Sequence, residues 1–516
     1  MKSIKSATSV VVLLFLMTLS SCKKDQASKD AKFAIDTTKF AGFYKQFPEF
    51  AQYKKDLNDL YEKQGYRYIW YDDEGRNDFA EVLFDKARQL GSEGVVATLP
   101  YRDEFEKIFS KDRKKPNLEN ELLISSMYFF YADKVYEGID PKVSRQMGWY
   151  LPREKKSLVD YLDELMDDTD KLKKDEEAMY SMYYRLRTAL KRFREIRDAG
   201  GWGVITLPEG TKSLKPGDNS AAVAQLRKRL FITGDLKRDN KSTVYDTELV
   251  DAVKRWQLEH HNNPDGLVGP QVIKDLNIPV EQRIKTILVN MERCRWITPE
   301  IDELKEYVYV NIPSYSMRYL RDGRLALESN VVVGKELNKT VIFSGKMSYL
   351  VFAPYWNVPK SIIAEEIQPG IDQNPNYLEE HDMEWNDGNV RQRPGPNNSL
   401  GLVKFMFPNA NNIYLHDTPA KSLFKRDDRA LSHGCVRVEK ARELAIKILD
   451  GDRNWDAQKI DEAMNSGEEK NYSLKRKIPV YIVYFTALVD EHGHISFYDD
   501  VYKRDEKLAR VLYTDD

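Results

Sequence analysis

Cysteine is scarce in this chain, with three among 516 residues, so no disulfide framework staples it. Histidine is scarce as well, at seven, and no helical pair has the spacing of a zinc site. A surplus of either charge is missing: 80 Lys and Arg face 82 Asp and Glu, a formal net of -2. Without a basic surplus, nucleic acid is excluded as a partner on electrostatic grounds. Long apolar runs are missing too, and the stretch from Val10 to Leu19 is too short to span a bilayer comfortably. What remains is a globular composition, 41% hydrophobic and 31% charged, long enough for roughly two to four domains.

The first residues carry an address. Lys2 and Lys5 precede the apolar run, and Ser20, Ser21 and Cys22 follow it, which is the layout of an export signal. Leu19-Ser20-Ser21-Cys22 resembles a bacterial lipobox, which implies lipidation of Cys22, cleavage before it and a membrane anchor. The polar stretch from Lys23 to Asp30 then reads as a tether. The lack of Asp directly after Cys22 resembles the sorting pattern of outer-membrane lipoproteins. The expected location is therefore the periplasm-facing side of the cell envelope, at the outer membrane more than the inner. Lipidation uses one cysteine. Cys294 sits in a helical pattern and reads as a small core residue. Cys435 is left, and a thiol kept in an exported protein risks oxidation, so its presence asks for a reason.

The expected organisation has a signal peptide at 1–21, a tether at 22–39 and a helical scaffold domain at 40–204. A compact helical module follows at 205–280, a linker helix at 281–305 and a β-rich domain at 306–516. In the scaffold, Phe43, Tyr44, Phe47 and Phe50 form an aromatic helical stripe, and Met179 to Arg197 repeats Tyr, Leu and Arg at helical spacing. Both read as core-facing patterns. Gly200-Gly201-Trp202-Gly203 marks a boundary. In the module, Ser220 and Asp246 open helices, and Asp265-Gly266-Leu267-Val268-Gly269-Pro270 turns into a last one. From Tyr307 the period changes to alternation. Asp322-Gly323 between apolar strands is a hairpin signal, and His492-Gly493 joins another. Ala441, Leu444, Ala445, Ile448 and Leu449 share one helical face. A long Pro-, Asn- and Gly-rich insertion at about 359–409 is expected to act as a lid.

Chemistry is concentrated in two segments, Tyr414-Leu415-His416-Asp417 and Ser432-His433-Gly434-Cys435-Val436-Arg437. A thiol titrates near ~8.5 and needs a base or nearby positive charge to become a nucleophile. Histidine is the usual base because its pKa lies near neutrality. His433, two residues before the cysteine across a bend at Gly434, is poorly placed to aim at the thiol. His416 is favoured as the base, with His433 as an orienter or substrate contact. The N–H groups of Gly434 and Cys435 are the natural donors to an oxyanion. Arg437 adds a fixed positive charge, available for a substrate carboxylate or as a brace for the loop.

His416 followed by Ser432-His433-Gly434-Cys435 resembles the signature of YkuD-type L,D-transpeptidases. The layout of anchor, scaffold, peptidoglycan-binding-like module and capped catalytic domain is similar to the large YcbB-type subgroup. Phe352 to Pro359 and Gly395 to Gly401 are similar to segments that flank that cap, although Ala353-Pro354 stands where relatives often carry Asn-Pro. The resemblance implies a multidomain fold: an α-helical scaffold, a three-helix module, and a mainly β, sandwich-like catalytic domain with an inserted capping subdomain. It implies a cysteine acyltransferase acting on tetrapeptide stems to form 3→3 cross-links, with Cys435 as nucleophile, His416 as proton donor and acceptor, and Ser432, His433 and Gly434 around them. Tyr355, Trp356 and Arg393 are candidate cleft residues. No cofactor or metal is expected. The partners are peptidoglycan stems, and the membrane through Cys22. The acceptor (a second stem, water or a protein amine) and the oligomeric state are not legible, nor is whether the module binds glycan or only spaces.

Overall fold

The computed structural model describes residues 33–110, 116–153, 157–167, 178–260 and 263–513. The signal, most of the tether, Cys22 and His261 lie outside the described residues. Among the described residues no helix is long and apolar enough to cross a membrane. Two compact units emerge, one of residues up to 138 with 154–178, the other of 139–153 with 179–515.

The first unit is the helical scaffold. Its central helix, Leu118–Ala132, is buried on every side from Glu121 onward, as a helix apolar all round must be. Phe43, Phe47, Phe50 and Trp70 are buried, so the aromatic stripe is core as expected. A two-stranded ribbon, β1 (Tyr71–Asp72) and β2 (Gly75–Arg76), forms around the Asp72-to-Gly75 turn. The Glu121 carboxylate accepts the N–H groups of Ile69 at 2.7 Å and Trp70 at 3.3 Å and the Tyr61 hydroxyl at 3.1 Å, which ties this turn region to the central helix. Folded structure begins earlier than residue 40, because the Ile35 N–H bonds to the Tyr66 carbonyl and the Tyr68 N–H to Phe33.

Helix Ser181–Asp198, within the stretch expected to be scaffold, packs in the second unit. Its Phe193 meets Trp202 and Phe497, and its Met182 sulfur accepts the Val489 N–H. Helix Val280–Cys294 is buried along most of its length and carries Asn290, which bonds Thr486 through both its amide atoms. In the module, helices Ala221–Thr233, Thr247–Glu259 and Pro270–Leu276 enclose Val223, Leu226, Leu249, Val253 and Trp256. Gln257 fastens the glycine turn: its amide donates to the Asp265 carboxylate and the Leu267 carbonyl and accepts the Gly266 N–H, all at 2.8–2.9 Å. His260 is stacked on Trp256 at 4.1 Å and bonded to its carbonyl. Burial lowers its pKa to about 4.

The β-rich part is built from β3 (Tyr307–Asn311), β4 (Ser316–Arg321), β5 (Arg324–Gly334), β6 (Phe343–Phe352), β10 (Val403–Met406), β11 (Leu415–His416), β12 (Ala430–Ser432), β13 (Val436–Val438) and β14 (Lys470–Val483). Three strands of the insertion, β7 (Trp356–Asn357), β8 (Met383–Asn386) and β9 (Asn389–Gln392), form a separate sheet. A last hairpin pairs β15 (Ala487–Val489) with β16 (Ile495–Phe497). The nine-stranded order is β12-β5-β13-β11-β10-β6-β14-β3-β4, and β4 also pairs β5. The ladder therefore returns on itself, the barrel-like form of the expected sandwich. Asp322 and Gly323 have φ of 52° and 72°, the left-handed pair that a tight β4–β5 hairpin needs.

The insertion is not a structureless loop. Val358, Ile362, Ile367, Met383 and Val390 give it a core of its own. Its expected end at 409 is also corrected, since Val403–Met406 is a strand of the main sheet.

Candidate active site

Register brings the reactive side chains together. β11 runs antiparallel to β10, with His416 opposite Lys404, and parallel to β13, with Leu415 opposite Val436 and His416 opposite Arg437. Side chains alternate across a strand. Phe405, Leu415, Val436 and Val438 therefore go to the fully buried face. Lys404, Tyr414, His416 and Arg437 share the other face. The Val436 N–H donates to the Tyr414 carbonyl at 3.2 Å, which sets Cys435 beside Tyr414 at the head of β13.

The bend before Cys435 is held by hydroxyl groups. The Ser432 hydroxyl donates to the Cys435 carbonyl at 2.6 Å and accepts the Gly434 N–H at 3.1 Å. The Thr340 hydroxyl donates to the Gly434 carbonyl at 2.8 Å and accepts the Gly334 N–H at 2.8 Å. Gly434 has φ of 117°, a conformation that disfavours any side chain. The Gly434 N–H donates to Ser432, whereas the Cys435 N–H has no hydrogen-bond partner among the described residues. Ser432 braces the bend.

His416 is 4% exposed, and its Nδ1 is 2.5 Å from the Asp417 carbonyl. A carbonyl only accepts, so Nδ1 carries the proton and the lone pair sits on Nε2. Burial first, then the Arg437 and Lys404 charges, bring the imidazole pKa down to about 3, while the Asp417 and Leu400 carbonyls act the other way. The ring is thus neutral throughout the ordinary pH range. Cys435 is partly buried and unpaired, and burial pushes its thiol up. The Tyr414 N–H and hydroxyl, with Lys404 and Arg437, favour the thiolate. The sulfur lies 3.8 Å from the Asn412 carbonyl, and among the described residues no hydrogen bond joins it to His416. The Tyr414 ring neighbours both, with its centroid 5.6 Å from that of the imidazole.

The remaining candidates divide. Arg437 has no carboxylate partner among the described residues, and its buried Nε makes no hydrogen bond. Exposed His433 points away to the insertion, where its Nε2 is 3.1 Å from Glu366. Arg393 is paired with Glu379 at 3.1 Å, Tyr355 lies under the Arg391 guanidinium at 4.1 Å, and Trp356 packs on the insertion's core. These three residues hold the insertion together. Cys294 is buried and free, so no disulfide ties up Cys435. Lys404 and Tyr414, which share this face, were not among the candidates. The one available signal was a lone lysine in the apolar run Val403-Lys404-Phe405-Met406.

Residues 305–460 match the L,D-transpeptidase catalytic domain family, residues 55–190 a scaffold domain, and residues 219–276 a family described as "Putative peptidoglycan binding domain". A protein of Haemophilus influenzae named "Putative L,D-transpeptidase" is 33% identical over 293 residues, covering 52% of this chain and 57% of that protein. The match thus spans little more than half the length of that relative. Among solved structures, an L,D-transpeptidase of Stackebrandtia nassauensis is 14% identical, with 54% of this chain and 97% of that one covered and a TM-score of 0.22. One from Xylanimonas cellulosilytica is 14% identical, with coverages of 54% and 100% and a TM-score of 0.19. Overlaps that partial carry no weight on the site. The chain carries a YkuD-type L,D-transpeptidase catalytic domain, joined to a scaffold domain and a peptidoglycan-binding-type module.

Proposed function

We propose that the chain is an L,D-transpeptidase that forms 3→3 peptidoglycan cross-links through a Cys435 acyl-enzyme. The observation that carries this reading is the shared face of β11 and β13, where Cys435, Tyr414, His416 and Arg437 stand in register. On substrate binding the thiol turns from the Asn412 carbonyl toward Nε2 of His416, because catalytic hydrogen bonds tighten in the Michaelis complex. The thiol proton passes to Nε2, and the resulting thiolate attacks the carbonyl at the L-centre of the third stem residue. The tetrahedral oxyanion takes the Cys435 N–H. Collapse breaks the bond to the terminal D-alanine, whose amine leaves with the proton from His416. The side-chain amine of a second stem then attacks the thioester, gives its proton to His416 and releases Cys435 as a thiol. Arg437, lacking a carboxylate of its own, holds a substrate carboxylate.

In this reading the insertion excludes water and so favours aminolysis over hydrolysis, and its Glu366 contact to His433 at the cysteine bend supports that role. Export, lipidation at Cys22 and an outer-membrane location complete the proposal, since the substrate lies in the envelope. Incubation with disaccharide-tetrapeptide, followed by mass spectrometry for wild type and Cys435→Ala, is the test. A dimer lacking one D-alanine supports the reading. Tripeptide alone means that water resolves the acyl-enzyme. Equal product from Cys435→Ala overturns the nucleophile.

A further inference from the structure

Lys404 stands out among the lysines of the β-rich part. It is directly opposite His416 across the β10–β11 ladder, and its Nζ lies 4.0 Å from the centre of the Tyr414 ring. It is half-buried, and among the described residues no carboxylate pairs with it within ion-pair distance. An ammonium kept partly out of water is costly unless an anion or a π-face compensates it. The Tyr414 face offers part of that compensation. Burial pushes the Cys435 thiol up, and the Tyr414 hydroxyl and N–H together with the Lys404 charge act the other way, toward the thiolate. Arg437, on β13 and also without a carboxylate, stands opposite His416 from the other side.

We propose that Lys404 is a positioning residue for the nucleophile: seated over the Tyr414 ring, its ammonium holds the tyrosine hydroxyl and the Cys435 sulfur in the ionised arrangement required for attack. The inference rests on Cys435 being the nucleophile and adds what ionises it. Burial first, then Arg437, lower the imidazole pKa, and the Lys404 charge opposite His416 adds a smaller push in the same direction. Lys404 thereby separates two roles. The thiolate is supported by cations, and the imidazole stays a neutral base. The other titratable groups around the thiol are Tyr414 just ahead of β11, His416 on β11 and Arg437 on β13. Glu469, ahead of β14, is the carboxylate whose field acts on Lys404, and His433 is engaged by Glu366. No proton is transferred to or from Lys404 in this role. It acts by charge, and an arginine can replace it.

The test is the pH dependence of Cys435 alkylation by iodoacetamide in the full chain, read by mass spectrometry of the Cys435 peptide. This readout needs no transpeptidase turnover. Lys404→Met is expected to move the midpoint up by about one pH unit, a tenfold loss of thiolate below it. Lys404→Arg is expected to restore most of the shift, and Lys346→Met, an exposed lysine on β6, to leave it in place. Tyr414→Phe is expected to shift the midpoint the same way, and by less than an additive amount when combined with Lys404→Met. Should Lys404→Met fail to fold, the Arg and Phe variants still decide. A wild-type midpoint in folded Lys404→Met, or an Arg variant as shifted as Met, overturns the proposal. Loss of cross-linking together with an intact midpoint shift would sink the transpeptidase reading and leave this one standing.

Discussion

Ser432→Ala is the sharpest perturbation available at the cysteine bend. One hydroxyl makes two hydrogen bonds there, at 2.6 and 3.1 Å, and both close on buried or partly buried backbone. Each bond contributes about 1 kcal/mol net, and leaving the buried Gly434 N–H without an acceptor costs about 1–3 kcal/mol more. Truncation therefore weakens the bend by roughly 3–5 kcal/mol. If about 2 kcal/mol of this appears as a shift between the ordered bend and looser forms, the attack-ready population falls about thirtyfold. Acylation by a carbapenem, followed by intact-protein mass spectrometry, reads that population directly. Ser432→Thr keeps the hydroxyl and is expected to acylate within a few-fold of wild type, with Ser432→Ala slower by roughly 10–100-fold. The comparison also tests the oxyanion assignment. If the Gly434 N–H were the working donor, freeing it from Ser432 would sustain or raise the rate. Wild-type acylation by Ser432→Ala would refute the brace.

Three further outcomes follow. The imidazole, at about 3, is neutral across the working range, so Cys435 acylation in the free enzyme is expected to rise with one ionisation, at or above the ordinary thiol value; a second limb near 6.5 would contradict this. In the scaffold, burial raises the Glu121 carboxyl to about 8 from 4.5 despite three donated hydrogen bonds. The protonated form is therefore favoured by folding, and the stabilisation present below pH 4.5 is lost as pH climbs toward 8, by at most about 5 kcal/mol. Glu121→Gln should flatten the fall in scaffold unfolding temperature between pH 5 and pH 8, and an unchanged fall would refute it. Gln257→Ala removes three bonds from the module's glycine turn and is expected to cost that module about 2–3 kcal/mol, seen as faster hydrogen exchange at Gly266 and Leu267, with carbapenem acylation of Cys435 unaffected.

Much of this was legible because it rests on local rules. Alternation located β3 and most of β6, Asp322-Gly323 set a hairpin, and the helix with Ala441, Leu444, Ala445, Ile448 and Leu449 inward is where its period placed it. Motif spacing drew attention to Cys435 and His416, and the β11–β13 register sets their two segments side by side. What escaped depended on partners distant in sequence. β10 is four residues long and follows a Pro- and Asn-rich stretch, so no period marked it, and Lys404 was lost with it. Helix Ser181–Asp198 is amphipathic whichever unit receives its apolar face. The Gly434 N–H looked free because sequence does not show that a hydroxyl two residues earlier turns back onto it. Arg393 and Tyr355 looked like cleft residues because their partners, Glu379 and Arg391, are fixed by the insertion's own fold.

The insertion leaves the main sheet at the end of β6 and re-enters at β10, and those strands are hydrogen-bonded neighbours. Its two stalks are laced together at the base, where the Ala353 N–H donates to the Leu402 carbonyl at 2.9 Å. A graft rooted on adjacent threads can change size, swing or be swapped without loosening the weave beneath it. Natural selection can thus reshape the insertion while the sheet that carries the cysteine bend stays fixed.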